Sequence, residues 1–102
     1  KYFAGRQGSP DSSSAPEAGV RVAPNPFTTR TTLTFALDEP APVTLTIYDL
    51  LGRRVATLVD RRLGPGSHTA PFRGRGRASG MYLYVLTVDG TVRNRGRIVH
   101  VR

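Results

Sequence analysis

The sequence has no cysteine, and no stretch of it approaches the ~18 consecutive apolar residues that a membrane-spanning helix requires. Without cysteine, the 102 residues can form neither disulfides nor thiolate metal sites. No signal peptide opens the chain, and its first residue is Lys1 rather than methionine. We therefore expect a processed product or a piece of a larger protein.

Chemically reactive side chains are also scarce, with seven carboxylates and two imidazoles in the chain. Most of the carboxylates fall where turns are predicted, and Asp side chains in turns bond their own backbone. Ser67 precedes His68, but neighbours on a strand point to opposite faces and cannot form a nucleophile–base pair. The sequence therefore predicts no catalytic site, no metal site and no cofactor.

Lysine is almost absent, because fourteen of the fifteen cationic side chains are arginines. The charge is also uneven: residues 1–51 carry a net charge of −1, and residues 52–102 carry +9. Such a basic half could meet nucleic acid, anionic lipid or polysaccharide, or an acidic protein surface. A solvated, arginine-rich surface of a protein from a GC-rich genome explains the same charge equally well.

The first 19 residues differ in composition from the rest. Residues 5–19 contain no apolar side chain larger than alanine, so burial cannot offset the entropy lost on ordering. We predict a flexible linker or arm over 1–19 and a folded domain over 20–102. Tyr2 and Phe3 are either the end of a preceding domain or an arm that packs on another molecule.

From Val20 onward, apolar and polar residues alternate in short runs separated by turn residues. Strands are predicted at 20–22, 31–37, 43–48, 55–59, 68–72, 81–88 and 91–101. Turns or loops are predicted at 38–42, 49–52, 60–66 and 73–80, and Asp89-Gly90 is a strong two-residue hairpin signal. The fold class is all-β, an immunoglobulin-like β-sandwich of about seven strands.

Alternation also predicts which side chains form the core. One face of each strand is apolar, and these faces consist of Leu33, Phe35 and Leu37; Val43, Leu45 and Ile47; and Tyr82, Tyr84, Leu86 and Val88. Tyr48, Tyr82 and Tyr84 could stack on a sugar, but a place in the core with hydroxyls at its rim is favoured.

Two arginine patterns allow alternative interpretations. Arg73-Gly-Arg-Gly-Arg77 could follow phosphates, but no aromatic residue is interleaved, so a glycine-rich loop is favoured and nucleic acid is disfavoured. Arg93, Arg95 and Arg97 share one face if their strand is regular. That cationic stripe is either a recognition surface or an edge protected against aggregation.

A set of motifs in a fixed order resembles the type A C-terminal sorting domain of the type IX secretion system. The matching elements are Pro24-Asn25-Pro26-Phe27, residues 31–35, 43–49, Gly52-Arg53 with Val55, 64–68, Ser79-Gly80-Met81-Tyr82-Leu83-Tyr84 and 97–102. The resemblance covers about 20–102 and implies a relation to the immunoglobulin-like domain of flagellar hook-capping proteins. The chain departs from the family pattern at His100, where an aliphatic residue is usual, and in having arginine instead of lysine near its end.

The resemblance implies a non-catalytic domain that directs an exported protein through the outer membrane to the cell surface. Its implied partners are the outer-membrane secretion machinery and a surface peptidase, which would cut before Val20, with attachment of the cargo to lipopolysaccharide. It implies that the domain folds in the periplasm in transit and then reaches the cell surface or the extracellular space.

The resemblance, together with the position of the last strand, assigns roles to particular residues. The expected recognition residues are Arg93, Arg95, Arg97, Ile98, Val99, His100, Val101 and Arg102. The family motif residues expected to be mainly structural are Pro24, Asn25, Pro26, Phe27, Tyr48, Asp49, Gly52, Arg53, Gly80, Tyr82 and Tyr84. For Asn25, a turn-forming role is favoured over a ligand contact.

Two other functions remain open at this point. The chain could be a structural subunit of an extracellular filament or adhesive assembly, in which the N-terminal arm adds a strand to another copy. It could instead be a module that binds a polyanion, such as an anionic polysaccharide or lipopolysaccharide, through its basic half.

Overall fold

The structure is a computed structural model that describes residues 19–102. Seven strands make up its regular structure: β1 (Arg21–Ala23), β2 (Arg30–Leu37), β3 (Ala41–Tyr48), β4 (Arg54–Leu63), β5 (Gly66–Arg73), β6 (Gly80–Val88) and β7 (Thr91–His100). The predicted linker and the proposed arm with Tyr2 and Phe3 lie outside the described residues.

The strands form two sheets that pack as a sandwich. One sheet has three strands in the order β1-β2-β5, and the other has four in the order β4-β3-β6-β7. Every pair of neighbouring strands is antiparallel. The predicted all-β sandwich of seven strands is therefore confirmed, while the relation to immunoglobulin and hook-capping domains stays a prediction.

The core between the sheets is built from the alternating residues. All ten side chains predicted for it are buried, and Leu33, Phe35, Leu45 and Ile47 have no exposed surface at all. The side chains of each sheet that point to its partner sheet thus exclude water from a shared apolar layer. Phe27, Leu63, Ala70, Phe72 and Ile98 complete this core.

The turn between β6 and β7 has the predicted geometry. Asp89 and Gly90 have φ values of 55° and 81°, which is the left-handed region that a two-residue hairpin of this kind requires. Asp tolerates this conformation better than most residues, and glycine adopts it without steric cost. The hairpin signal in the sequence is therefore confirmed.

The extent of β4 was predicted incorrectly. The strand was expected to end at residue 59, but it continues through Asp60, Arg61 and Arg62 to the buried Leu63. Only 64–65 remain between β4 and β5. The charged residues can lie in a strand because β4 is a sheet edge and their side chains face solvent, while their backbone pairs with β3. Two irregularities in the β3–β4 register further twist this edge.

Because all pairs are antiparallel, the connections gather at two opposite ends. The loop end consists of 24–29, 49–53, 74–79 and 101–102. The hairpin end consists of 38–40, 64–65 and 89–90. The motif residues that precede β2, follow β3 and precede β6 therefore meet at the loop end, next to the last residues of β7.

Candidate functional site: the terminal strand and its cap

The last strand, β7, is an edge of the four-stranded sheet and pairs with β6 alone among the seven strands. An edge strand exposes backbone N–H and C=O groups that can pair with another chain. The part of this edge near the loop end is covered by 24–27, which we call the cap. The cap comes from the start of the domain and reaches its last strand.

Asn25 covers the edge with its side chain. Its amide Nδ2 donates to the carbonyl oxygen of Arg97 at 3.1 Å, and its Oδ1 accepts from the backbone N–H of Val99 at 2.9 Å. The primary amide thus presents one donor and one acceptor, as a peptide group of a neighbouring strand would. The predicted turn-forming role misses this function, because the bonded residues lie more than 70 positions away.

Phe27 extends the cap by one backbone pair. Its N–H donates to the carbonyl oxygen of Val99, and its own carbonyl oxygen accepts from the N–H of Val101, both at 2.9 Å. The two hydrogen bonds form an isolated parallel bridge at the end of β7. The Phe27 ring is buried and meets the Phe72 ring edge-on, with centroids 5.7 Å apart. The apolar anchor therefore holds the polar contacts in register.

His100 joins three segments at the loop end. Its ring stacks on Phe27, with centroids 4.8 Å apart, and only 6% of the residue is exposed. Nδ1 lies 3.2 Å from the carbonyl oxygen of Ala78, and Nε2 lies 3.1 Å from that of Thr28. An aliphatic residue at this position could pack against Phe27 but could donate a hydrogen bond to neither carbonyl, whereas the imidazole of either tautomer donates to one of them.

Gly74 is required by this arrangement. A Cβ atom at Gly74 would collide with the imidazole ring of His100. Gly74 also donates its N–H to the carbonyl oxygen of Thr29, which ties the 74–79 loop to the cap side. The sequence places Gly74 in a glycine-rich loop, and its spacing from His100 carries no signal of this contact.

The eight predicted recognition residues divide into two groups. Arg93, Arg95, Arg97, Val101 and Arg102 are exposed, whereas Ile98 and His100 are buried and Val99 is half-buried. The side chains of Ile98 and His100 therefore serve the core and the cap. A partner of β7 would meet the exposed members and the open backbone.

The predicted arginine stripe is shorter than a regular strand would make it. Arg95 lies opposite Val85, and Arg97 lies opposite Leu83, so these two share the outer face of the sheet. The register then shifts between Leu86 and Thr87, and Arg93 is the extra residue on the β7 side of the bulge. Alternation therefore does not place Arg93 with the other two.

The turn after β3 holds Asp49, Gly52 and Arg53 in a fixed geometry. Asp49 Oδ1 accepts from the N–H groups of Leu51 and Arg53, at 2.9 and 3.0 Å, and Oδ2 accepts from Arg53 Nε at 2.8 Å. These hydrogen bonds, with the backbone N–H of Arg53 first, lower the pKa of the Asp49 carboxyl below its ordinary 3.8. Gly52 supplies a φ of 84°. The turn presents Leu50 and Leu51 to solvent, 63% and 78% exposed.

The tyrosines of β6 are core residues, as predicted. Tyr82 and Tyr84 are 7% and 8% exposed, and the Tyr82 hydroxyl donates to the carbonyl oxygen of Ala78 at 2.6 Å. Burial raises the pKa of Tyr84. The Tyr84 ring crosses its neighbour Gly96 so closely that a Cβ there would lie 2.6 Å from the hydroxyl oxygen. Tyr48 is half-buried at the end of β3.

The described part of the chain holds no helix long and apolar enough to cross a membrane. Within the same residues, no group of three or more histidine or acidic side chains is arranged to hold a metal ion.

The geometry defines a class of protein: a small all-β domain whose last strand forms a sheet edge, held by a cap from its first residues. The chain belongs to the family of secretion system C-terminal sorting domains, whose model matches residues 21–100. This is the type IX sorting domain, which marks proteins for export to the cell surface or the extracellular space. Domains of the family are typically non-catalytic.

No curated protein shows significant sequence similarity to the chain. Two solved structures resemble its fold weakly. One is the alkylpurine DNA glycosylase AlkC of Pseudomonas fluorescens, with 16% identity, a TM-score of 0.46, and coverage of 81% of this chain and 29% of that one. The other is a Bacteroides fragilis protein assigned as a beta-galactosidase, with 21% identity, a TM-score of 0.35, and coverage of 76% and 15%. The chain thus spans less than a third of either protein, and neither likeness bears on its function.

Proposed function

We propose that the chain directs an exported protein through the outer membrane, and that the secretion machinery docks on the exposed side of β7. Membership of the sorting-domain family supports the targeting role. The observation that supports the docking site is the position of β7 as an edge strand whose end is held by the cap. An ordered edge lowers the entropy that a partner strand must lose on binding.

Upstream of the cap, β7 pairs with no second strand among residues 19–102. Since Val99 uses both its N–H and its C=O for the cap, alternation directs the backbone groups of Arg97 and Arg95 to the same side. Of these, the carbonyl oxygen of Arg97 is bonded to Asn25. We propose that a partner strand pairs beside Arg95 and Arg97, where their exposed guanidinium groups attract an acidic receptor.

The surface peptidase is expected to cut the chain just upstream of the sandwich. The first strand begins at Arg21, so a cut upstream of Val20 removes no strand and no core residue. The exported protein would then be released from an intact sorting domain. Mass spectrometry of the released cargo would locate the cut, and a cut after Val22 would contradict this boundary.

An export assay tests the docking site. A secreted reporter is fused to the N-terminus of the chain and produced in a host with a type IX system, and reporter in the medium and on cells is compared with reporter in the periplasm. We expect Arg95→Glu/Arg97→Glu to leave most of the reporter in the periplasm, because an acidic receptor would repel the reversed charges.

The matched control is Arg61→Glu/Arg62→Glu, which changes the same charge on β4, the opposite edge of the same sheet. Export should persist in this variant. Equal loss of export in both variants would show that net charge, and not the β7 edge, governs recognition. Unchanged export in the β7 variant would refute docking at this edge.

A second candidate function uses the same open edge. A neighbouring copy could pair with β7 by strand addition, which would build a filament or an adhesive assembly. Light scattering of the purified chain distinguishes the two: concentration-dependent oligomers that Arg95→Pro abolishes would support assembly, and monomers at all concentrations would exclude it.

A further inference from the structure

The loop end of the sandwich collects arginines from separate parts of the sequence. Two open clefts lie side by side there, of about 640 and 460 Å³. Arg75, Arg77 and Arg102 line the first, and Arg30, Arg73 and Arg75 line the second. These residues come from the start of β2, the end of β5, the 74–79 loop and the chain after β7.

These guanidinium groups have no anionic partner within the described residues. Asp49 is the described carboxylate at the loop end, and it is paired with Arg53. Asp38, Glu39 and Asp89 lie at the hairpin end, and Asp60 lies within β4, opposite Thr44 of β3. None of the five cleft arginines makes an ion pair with residues 19–102. Like charges held together without counter-charges repel one another, so an external anion would relieve this repulsion.

One N–H group of Arg77 lacks a hydrogen-bond acceptor among the described residues. Its guanidinium carbon lies 5.4 Å from the centroid of the buried Phe72 ring, which holds the group in place. Its Nε is shielded from solvent and has no hydrogen-bond partner among residues 19–102. Stacking on Phe72 thus holds the Arg77 guanidinium at the wall of the first cleft, where its other N–H groups can meet an anionic oxygen.

Two exposed leucines adjoin the arginines. A third cleft, of about 420 Å³, is lined by Leu50 and Leu51 on one side and by Gly76, Arg77 and Ala78 on the other. Gly76, Arg77 and Ala78 also line the larger arginine cleft, so the surfaces are continuous. The hydrogen bonds of the Asp49–Arg53 turn hold both leucines in solvent, 63% and 78% exposed.

We propose that the loop end docks on the surface of a bilayer that carries anionic headgroups, with Leu50 and Leu51 inserted among the lipids and the arginine clefts on the phosphates. An apolar tip surrounded by cations is the combination that binds proteins to anionic membranes, since burial and electrostatic attraction add. Nucleic acid fits less well, because the aromatic rings near the clefts, Phe27, Phe72 and Tyr82, are buried and cannot stack on bases.

The rest of the molecule is compatible with this orientation. Docking at the loop end turns the acidic hairpin end away from the anionic surface. The chain enters the domain at Gly19, which lies beside Asn94 of β7 and not at the loop end. An upstream protein would therefore not be forced between the domain and the lipids. This inference concerns a different surface from the open edge of β7, and it holds whether or not that edge binds the secretion machinery.

Co-sedimentation of the purified chain with vesicles tests the proposal. We expect binding to vesicles of phosphatidylcholine and phosphatidylglycerol in equal amounts, and none to phosphatidylcholine alone. Binding should fall steeply as sodium chloride is added. Arg30→Gln/Arg75→Gln should lower the partition coefficient roughly twenty-five-fold, at about fivefold for each arginine near an anionic surface. Leu50→Ser/Leu51→Ser should lower it by about tenfold or more.

Matched controls lie away from the loop end. Arg61→Gln/Arg62→Gln removes the same charge, and Val92→Ser removes an exposed apolar side chain near the hairpin end. Both should bind as the unmodified chain does, and circular dichroism should show the same sheet content in every variant. The four substituted loop-end residues are exposed, so their replacement leaves the core intact.

Three results would overturn the proposal. Equal loss of binding in Arg61→Gln/Arg62→Gln would assign the attraction to net charge. Unchanged vesicle binding in Leu50→Ser/Leu51→Ser would refute the insertion of these leucines among the lipids. No binding to anionic vesicles at low salt would exclude the docking surface altogether.

Discussion

Asn25 bonds the terminal strand with a side chain in the way that a neighbouring strand would with its backbone. Its amide satisfies one acceptor and one donor of β7, and the adjacent Phe27 adds two backbone bonds and a buried ring. At the scale of single residues, the family motif Pro24-Asn25-Pro26-Phe27 therefore has a structural purpose, which is to close the end of an otherwise open edge.

Replacing Asn25 by alanine should destabilise the fold by about 1–3 kcal/mol, since two net hydrogen bonds are lost at about 0.5–1.5 kcal/mol each. Urea denaturation measures this change. Asn25→Asp keeps the acceptor for the Val99 N–H but turns a carboxylate oxygen toward the carbonyl oxygen of Arg97, so it should also destabilise the fold. Equal stability of the alanine variant and the unmodified chain would refute a role of the cap in stability.

Gly96 offers a second prediction at this scale. Alanine usually stabilises a strand relative to glycine, by roughly 0.5–1 kcal/mol. Here the added Cβ would meet the Tyr84 ring, so Gly96→Ala should instead destabilise by about 1–3 kcal/mol. In a Tyr84→Leu background the ring is gone, and the penalty should disappear. A double-mutant cycle measured by urea denaturation tests this coupling, and an equal penalty in both backgrounds would show that Tyr84 is not its cause.

At the scale of elements, the turns carry more specific chemistry than the strands. The Asp49–Arg53 turn combines a carboxylate bonded to two backbone N–H groups with an ion pair. The result is a rigid apolar tip formed by Leu50 and Leu51, where a flexible loop would let both side chains collapse onto the nearest apolar surface.

The turn should make stability depend on pH. The folded pKa of Asp49 is lowered, so its carboxylate contributes stability above the unfolded value of 3.8. That contribution is lost as pH falls below 3.8 and through the folded pKa. We expect the difference in unfolding free energy between the unmodified chain and Asp49→Asn to shrink over this window. Denaturation at a series of pH values measures it, and a difference that grows in acid would have the wrong sign.

At the scale of the whole molecule, charge is distributed unevenly, with arginines at the loop end and carboxylates at the hairpin end. The formal net charge of +8 comes from an excess of arginine, and the five arginines around the loop-end clefts have no carboxylate partner among residues 19–102. Such self-repulsion favours solubility but opposes the compact state.

Added sodium chloride should therefore raise the thermal midpoint of the chain, because it screens repulsion over distances near the Debye length. Arg75→Gln/Arg102→Gln should raise the midpoint at low salt and weaken its dependence on salt. Differential scanning calorimetry measures both. A midpoint that falls with salt would show that attractive pairs dominate the electrostatics, contrary to this account.

Local patterns in the sequence determined the strands, most of the core and the tightest turn. Alternation assigns Leu33, Phe35 and Leu37 to one face because successive side chains on a strand point to opposite sides. Asp89-Gly90 specifies its hairpin because both residues accept the left-handed conformation. The ordered motifs also sufficed to identify the sorting-domain family, which the match over 21–100 confirms.

Other features were decided by the tertiary structure, because they depend on which distant segments the sheets bring together. The bonds of Asn25 to β7, the fit of His100 over Gly74 and the gathering of Arg30, Arg75 and Arg102 each join residues far apart in sequence. The continuation of β4 and the bulge at Arg93 follow from pairing with a neighbouring strand. Backbone hydrogen bonds between strands form whether or not the side chains alternate. The sequence therefore reveals neither the continuation of β4 nor the bulge at Arg93.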